Sequence, residues 1–192
     1  MTGKQGFSLF EMLIVVAIMG VIALAAVPVA EITYVKTQET QLENSQDAIR
    51  EAIILWKRDC RNAVAGQFSG GYTLLFTIPD SQLYPPSLEE LVKPSPPYTF
   101  LTREGIIATD SFNNPVVFYP KPYLNAIPAD PFVGAQEWSV HCASGTSPGT
   151  YSSGITTLPA DHVGIMDISC VTDPVKRRGF VTAIDGTKYE DW

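Results

Sequence analysis

Glu11 is the first residue whose position asks for a chemical explanation. It is a single carboxylate set directly ahead of Met12–Ala30, 19 residues without a charged or strongly polar side chain. An unpaired carboxylate at bilayer depth costs about 2.5 kcal/mol or more. At headgroup level, near the positive end of a helix dipole, it is tolerated. The other reactive residue types are few. His141 and His162 are the two candidate bases for a nucleophile–base pair. His141 falls on an expected strand and reads as a partly buried sheet residue; His162 follows Asp161 in a loop and reads as solvent-exposed. No Gly-x-Ser-x-Gly, His-Glu-x-x-His or phosphate-binding glycine loop is present. The chain is therefore expected not to be an enzyme, with no catalytic residue, no cofactor and no metal site assigned. Lys176-Arg177-Arg178 reads as a solvated turn. The cysteines are Cys60, Cys142 and Cys170. Outside the cytoplasm they permit one bridge with one thiol over. Cys142 and Cys170 both end expected strands and are the favoured pair; three buried thiols acting as small hydrophobes are the alternative.

The elements that position these residues follow from hydrophobic patterning. The chain has 192 residues, a net charge of −7 and a charged fraction of 17%. That charge content is too low for a disordered tail protein. An acidic balance, with a pI near 4.7, excludes the basic footprint of a nucleic-acid binder. Fifteen prolines and 14 glycines imply many turns and exclude a compact all-helical bundle. As a helix, Met12–Ala30 spans about 28 Å, close to the roughly 30 Å hydrocarbon core of a bilayer. Lys4 on the short side favours a cytoplasmic N-terminus. Three readings of this segment stand: a secretory signal cut near Ala23-Leu24-Ala25, a plain anchor, and a processed filament-type signal.

The helical pattern continues past the apolar run. Ile32, Val35, Leu42, Ile49, Ile53 and Trp56 recur on one side, with charged and polar residues between them. Pro28 removes one donor and would kink the helix. A helix over Phe7–Ala65 would be about 90 Å long, ending before Gly66, Gly70 and Gly71. Eleven of the 15 prolines then fall between Pro79 and Pro131. Ser87-Leu88-Glu89-Glu90 reads as a capping box opening a short helix to Val92. Strands are expected at 116–119, 137–142, 164–170 and 179–184, the last before an Asp185-Gly186 turn. The stretch 143–159 reads as a polar, flexible loop.

Gly6-Phe7-Ser8-Leu9-Phe10-Glu11 followed by MLIVVAIMGVIALAAVP resembles the prepilin signal of type IV pilins and type II secretion pseudopilins. The resemblance implies cleavage by a prepilin peptidase between Gly6 and Phe7 and N-methylation of Phe7. It also implies a role in subunit assembly for Glu11, paired with the amine of Phe7 on a neighbour. Two later segments, Tyr84-Pro85-Pro86-Ser87-Leu88-Glu89-Glu90-Leu91 and Pro122–Phe132, resemble the major pseudopilin of type II secretion. The expected organisation is a leader at 1–6, a transmembrane and assembly half-helix at 7–30, and a periplasmic globular domain at 31–192. The expected fold is α+β, a long N-terminal helix packed on a small, mostly antiparallel sheet. Implied partners are copies of the chain, related pilin-like subunits and an inner-membrane assembly platform; the implied location is the bacterial inner membrane, crossed once. The family's calcium loop is not matched. Asp161, Asp167 and Asp173 are scattered among hydrophobic residues, whereas calcium needs converging oxygens.

Overall fold

In the computed structural model, residues 8–66, 71–95 and 97–192 are described. The fold class is α+β. One helix, α1 (Leu9–Gly66, 58 residues), is followed by two one-turn helices, α2 (Gly71–Leu74) and α3 (Glu89–Val92), and by six strands. The chain divides into two compact units, residues 1–40 and 41–192, and α1 contributes to both.

In the first unit, every described side chain from Leu9 to Tyr34 is exposed. This stretch is apolar on all sides of the helix, so no single face can be turned inward. The helix is assigned without a break through Pro28. It is long and apolar enough to cross a membrane, and its most apolar window is wholly unburied.

The second unit has its own core. From Leu42 the helix becomes amphipathic, and Leu42, Ile49, Ile53, Trp56, Cys60 and Val64 are all buried. The Trp56 indole is the centre of an aromatic cluster. Tyr98 and Phe118 meet it edge-on at centroid distances of 5.4 and 5.3 Å, and Tyr123 lies at 5.8 Å. Tyr98 and Phe118 come from β1 (Tyr98–Thr99) and β2 (Val117–Phe118), an antiparallel pair.

The main sheet has four antiparallel strands in the order β5-β4-β3-β6. These are β3 (Glu137–Cys142), β4 (Gly149–Ser152), β5 (Ile155–Thr157) and β6 (Ile165–Cys170). Period-two alternation sends Trp138, Val140 and Cys142 of β3 into the core, with Glu137, Ser139 and His141 on the other face.

Four expectations need correction. The stretch 143–159 is not a plain loop but contains the β4–β5 hairpin. Its two turn residues, Ser153 (φ 53°) and Gly154 (φ 78°), are both left-handed, the conformation that suits the strand twist. Gly149 opens β4 because a Cβ there would lie 2.6 Å from the Thr157 carbonyl. No strand forms at 179–184; only Thr182 makes a bridge, to Lys188. The backbone there curls instead, with Phe180 and Val181 N–H groups bonded to the Arg177 and Gly179 carbonyls. The capping box is also absent. The Leu88 N–H is met by the Thr156 hydroxyl of β5 at 3.0 Å, and that hydroxyl donates to Glu89 at 2.7 Å.

The fourth correction concerns the Cys142–Cys170 bridge. All three cysteines are free and buried. In the β3–β6 register Cys170 faces Trp138 and Cys142 faces Ile165. The two therefore sit at opposite ends of the strand pair, about 13 Å apart along it at the usual strand rise. A disulfide needs Cα atoms within about 7 Å.

Candidate functional site

The site is the start of α1. Glu11 lies in its first turn, exposed, with its N–H bonded to the Ser8 carbonyl at 3.0 Å. A carboxylate there complements the helix dipole. From Met12 to Ala30 the helix presents only apolar side chains to its surroundings. Ala17, Gly20, Ala23 and Ala26 are exposed small residues, and at Gly20 a Cβ would meet nothing within 4 Å. Such positions let helices approach closely in lipid. Gly6 and Phe7, the expected cleavage and methylation positions, lie outside the described residues, as do the rest of the leader and the Ala25 side chain.

The segments Tyr84–Leu91 and Pro122–Phe132 come together in the second unit. The Tyr123 and Leu124 N–H groups both donate to the Leu91 carbonyl, at 2.8 and 2.9 Å. Each segment is also tied to α1. Lys57 donates to Tyr84 at 2.7 Å and to Asp80 at 2.9 Å, and sits over the Tyr84 ring. Burial alone would lower the Lys57 pKa, but these hydrogen bonds outweigh it and raise it. Tyr123 donates to Asp59 at 3.0 Å, and Lys121 pairs with the same carboxylate at 2.9 Å. Burial would raise the Asp59 pKa, but those two partners win and lower it. Cys60, one residue on, is held well above the usual thiol range by burial.

Asp130 is the most constrained charge of the second segment. It is 0% exposed, and its ion pair with Arg177, 1% exposed, is 2.6 Å long. Its other oxygen accepts the Phe132 N–H at 2.8 Å. The guanidinium lies over the Phe132 and Tyr189 rings, 5.1 and 4.9 Å from their centroids, and donates to the Phe180 carbonyl. Arg177 is thus not part of a solvated turn, as its basic neighbours suggest. Of the two rings that box the guanidinium only Tyr189 is near in sequence; Phe132 and the ion-pair partner Asp130 lie in the distant Pro122–Phe132 segment. Sequence reasoning also missed Arg50. From α1 it donates to Asp167 at 2.8 Å, to the Ile168 carbonyl at 3.0 Å and to the Trp192 carbonyl. Burial raises the Cys170 thiol to about 11, and its S–H donates to the Tyr189 carbonyl.

His141 bonds the Ser169 hydroxyl at 2.9 Å across β3 and β6. Ser169 is buried, so this pair holds the sheet rather than offering a nucleophile. His162 is partly buried, not solvated; its ring covers Gly145, where a Cβ would lie 2.1 Å away. Asp167 is engaged by Arg50, and Asp173 accepts the Val175 N–H at 2.9 Å. Among the described residues, no three His, Cys, Asp or Glu side chains gather as a metal site.

Residues 1–27 match the family model described as the prokaryotic N-terminal methylation motif. No curated protein and no solved structure matches the chain. The motif implies processing by a prepilin peptidase, and with the apolar helix it overlaps fits membrane anchoring. Together with the long apolar-to-amphipathic helix and the small antiparallel sheets, it supports a type IV pilin-like subunit.

Proposed function

We propose that this chain is a pseudopilin subunit of a type II secretion system. It is cut between Gly6 and Phe7 by a prepilin peptidase and methylated at Phe7. It stands in the bacterial inner membrane with its N-terminus in the cytoplasm and its globular domain in the periplasm. On an inner-membrane assembly platform it polymerises, with copies of itself and related pilin-like subunits, into a periplasmic filament. Its role is structural, and no catalytic step is assigned to it.

One observation carries this reading: a wholly exposed apolar half-helix with a single glutamate in its first turn, falling within a methylation motif over residues 1–27. Such a helix needs lipid or other copies of itself to cover it. In the filament Glu11 meets the amine of Phe7 on a neighbour. The choice of secretion machine over surface pilus rests on Tyr84–Leu91 and Pro122–Phe132. Cells lacking the chain test that choice. Secreted proteins should accumulate in the periplasm while surface fibres persist. Loss of surface fibres with normal secretion would instead make the chain a type IV pilus subunit.

A further inference from the structure

The charges on the second half of α1 fall into two groups. Those turned toward the rest of the second unit are paired: Arg50 with Asp167, Lys57 with Asp80, Asp59 with Lys121. The opposite face is different. Glu43, Asp47, Glu51, Ile54, Arg58 and Arg61 follow at steps of four or three, which confines them to about 80° of helix arc. All six are exposed. Glu43, Asp47, Glu51 and Arg61 form no ion pair among the described residues, and Arg58 has only a 3.6 Å contact with the adjoining Asp59.

The order of signs is unfavourable within one chain. Glu43, Asp47 and Glu51 are like-charged neighbours at i,i+4, and Arg58 and Arg61 at i,i+3; both spacings destabilise a helix when the signs agree. Interleaved signs would stabilise it. Segregated into an acidic block and a basic block on either side of exposed Ile54, the stripe is instead complementary to another copy of itself.

We propose that this stripe docks on the same stripe of a second copy, parallel to it and displaced along the helix by ten to eleven residues, about 16 Å. That displacement brings Arg58 of one copy level with Asp47 of the next, and Arg61 level with Glu51. The proposal rests on the pilin-like reading, because copies anchored in one membrane through Met12–Ala30 run parallel. Parallel stripes without displacement set acid against acid and base against base, which disfavours that register. The displaced register relieves the self-repulsion of both blocks. A displacement of fixed sign leaves an acidic block open at one end and a basic block at the other. The contact is therefore heterologous and propagates as an open polymer rather than closing on a dimer. The charge order on one helix face sets the step of growth.

Disulfide trapping in the polymer assembled from the full-length chain tests the register. When Asp47→Cys and Arg58→Cys chains are co-expressed, the mixed 47–58 product should exceed the 47–47 and 58–58 products by about tenfold. Predominance of the like products would overturn the displacement. Charge reversal tests the chemistry. R58E/R61E or D47R/E51R should each lower the polymer yield by at least about tenfold, and all four changes in one chain should restore it to within about twofold. Circular dichroism should show each variant still folded, since the stripe faces away from the core. A chain that is cut after Gly6 and polymerises with indifference to these reversals would sink the stripe alone. A chain that is neither cut there nor polymerised would sink the pilin-like reading and the stripe with it.

Discussion

The two halves of α1 are one helix with two solvents. Up to Tyr34 no described side chain is buried, and between Met12 and Ala30 there is no charge to distribute. From Leu42 on, one side is closed by Trp56 and its aromatic neighbours, and the charges beside it are each given a partner. The core-facing side of the second half is satisfied within one chain; the first half has no such side. Both halves belong to one helix that runs through Pro28 without a break, so the difference lies in what covers the side chains. Changes on the core-facing side of the second half should therefore act on the stability of the domain, and changes in the first half or on the exposed charged stripe should act on assembly.

The largest effect should come from Glu11→Ala. Removing one partner of a poorly solvated charge pair costs about 3–5 kcal/mol at each contact, and the loss recurs along a filament. Filaments should be absent from sheared or purified fractions, while the chain is still cut and found in the membrane fraction, because the apolar run alone suffices to insert. Normal filaments from this variant would reduce Glu11 to a headgroup-level residue.

Within the second half and its domain, Arg177→Met should be the most damaging charge change. It leaves Asp130 buried and unpaired, at about 3–5 kcal/mol, read as a lower denaturant midpoint of the second unit in the purified chain. Trp56→Ala should cost about 3–5 kcal/mol by emptying the centre of the aromatic cluster. Neither should alter cleavage of the leader. Thr156→Val should cost about 1 kcal/mol, since it frees the Leu88 N–H from its partner across the sheet.

The smallest effect is a pH dependence. Asp59 has a lowered pKa in the folded chain, so its contribution to stability is full above the ordinary carboxylate value of 3.8 and fades as pH falls through the lowered one. Asp59→Asn should flatten that part of the acid limb in a pH series of unfolding curves. Cys170 works in the other direction. Its pKa is raised from 9.0 to about 11, so its contribution is full below 9.0 and is lost as pH rises toward 11. Cys170→Ala should remove this loss on the alkaline side.

The long helix, its amphipathic second half and the strands β3 and β6 were legible from periodicity, because burial there follows the backbone repeat. The β4–β5 hairpin was not. Its signal was a Ser153-Gly154 turn inside a serine- and glycine-rich stretch, where composition suggests flexibility and only the alternation around Tyr151 argues otherwise. The absent strand at 179–184 had the reverse problem: an apolar run with strand propensity is held in turns by Arg177, whose partners lie 47 residues away at Asp130 and in the aromatic box. Pairings of that range leave no local pattern. The disulfide expectation failed for a related reason. Two strand-terminal cysteines look adjacent in sequence logic, but antiparallel register sends their ends apart. At the candidate site, Glu11 was legible because a lone carboxylate against a lipid-length apolar run has few explanations.

The central claim, that the first half of α1 is an assembly segment exposed by processing, is tested most directly by the intact mass and terminal sequence of the chain isolated from membranes. The isolated chain should lack residues 1–6 and begin at Phe7 carrying one added methyl group. A chain retaining Met1, or one beginning near Ala26, would contradict it.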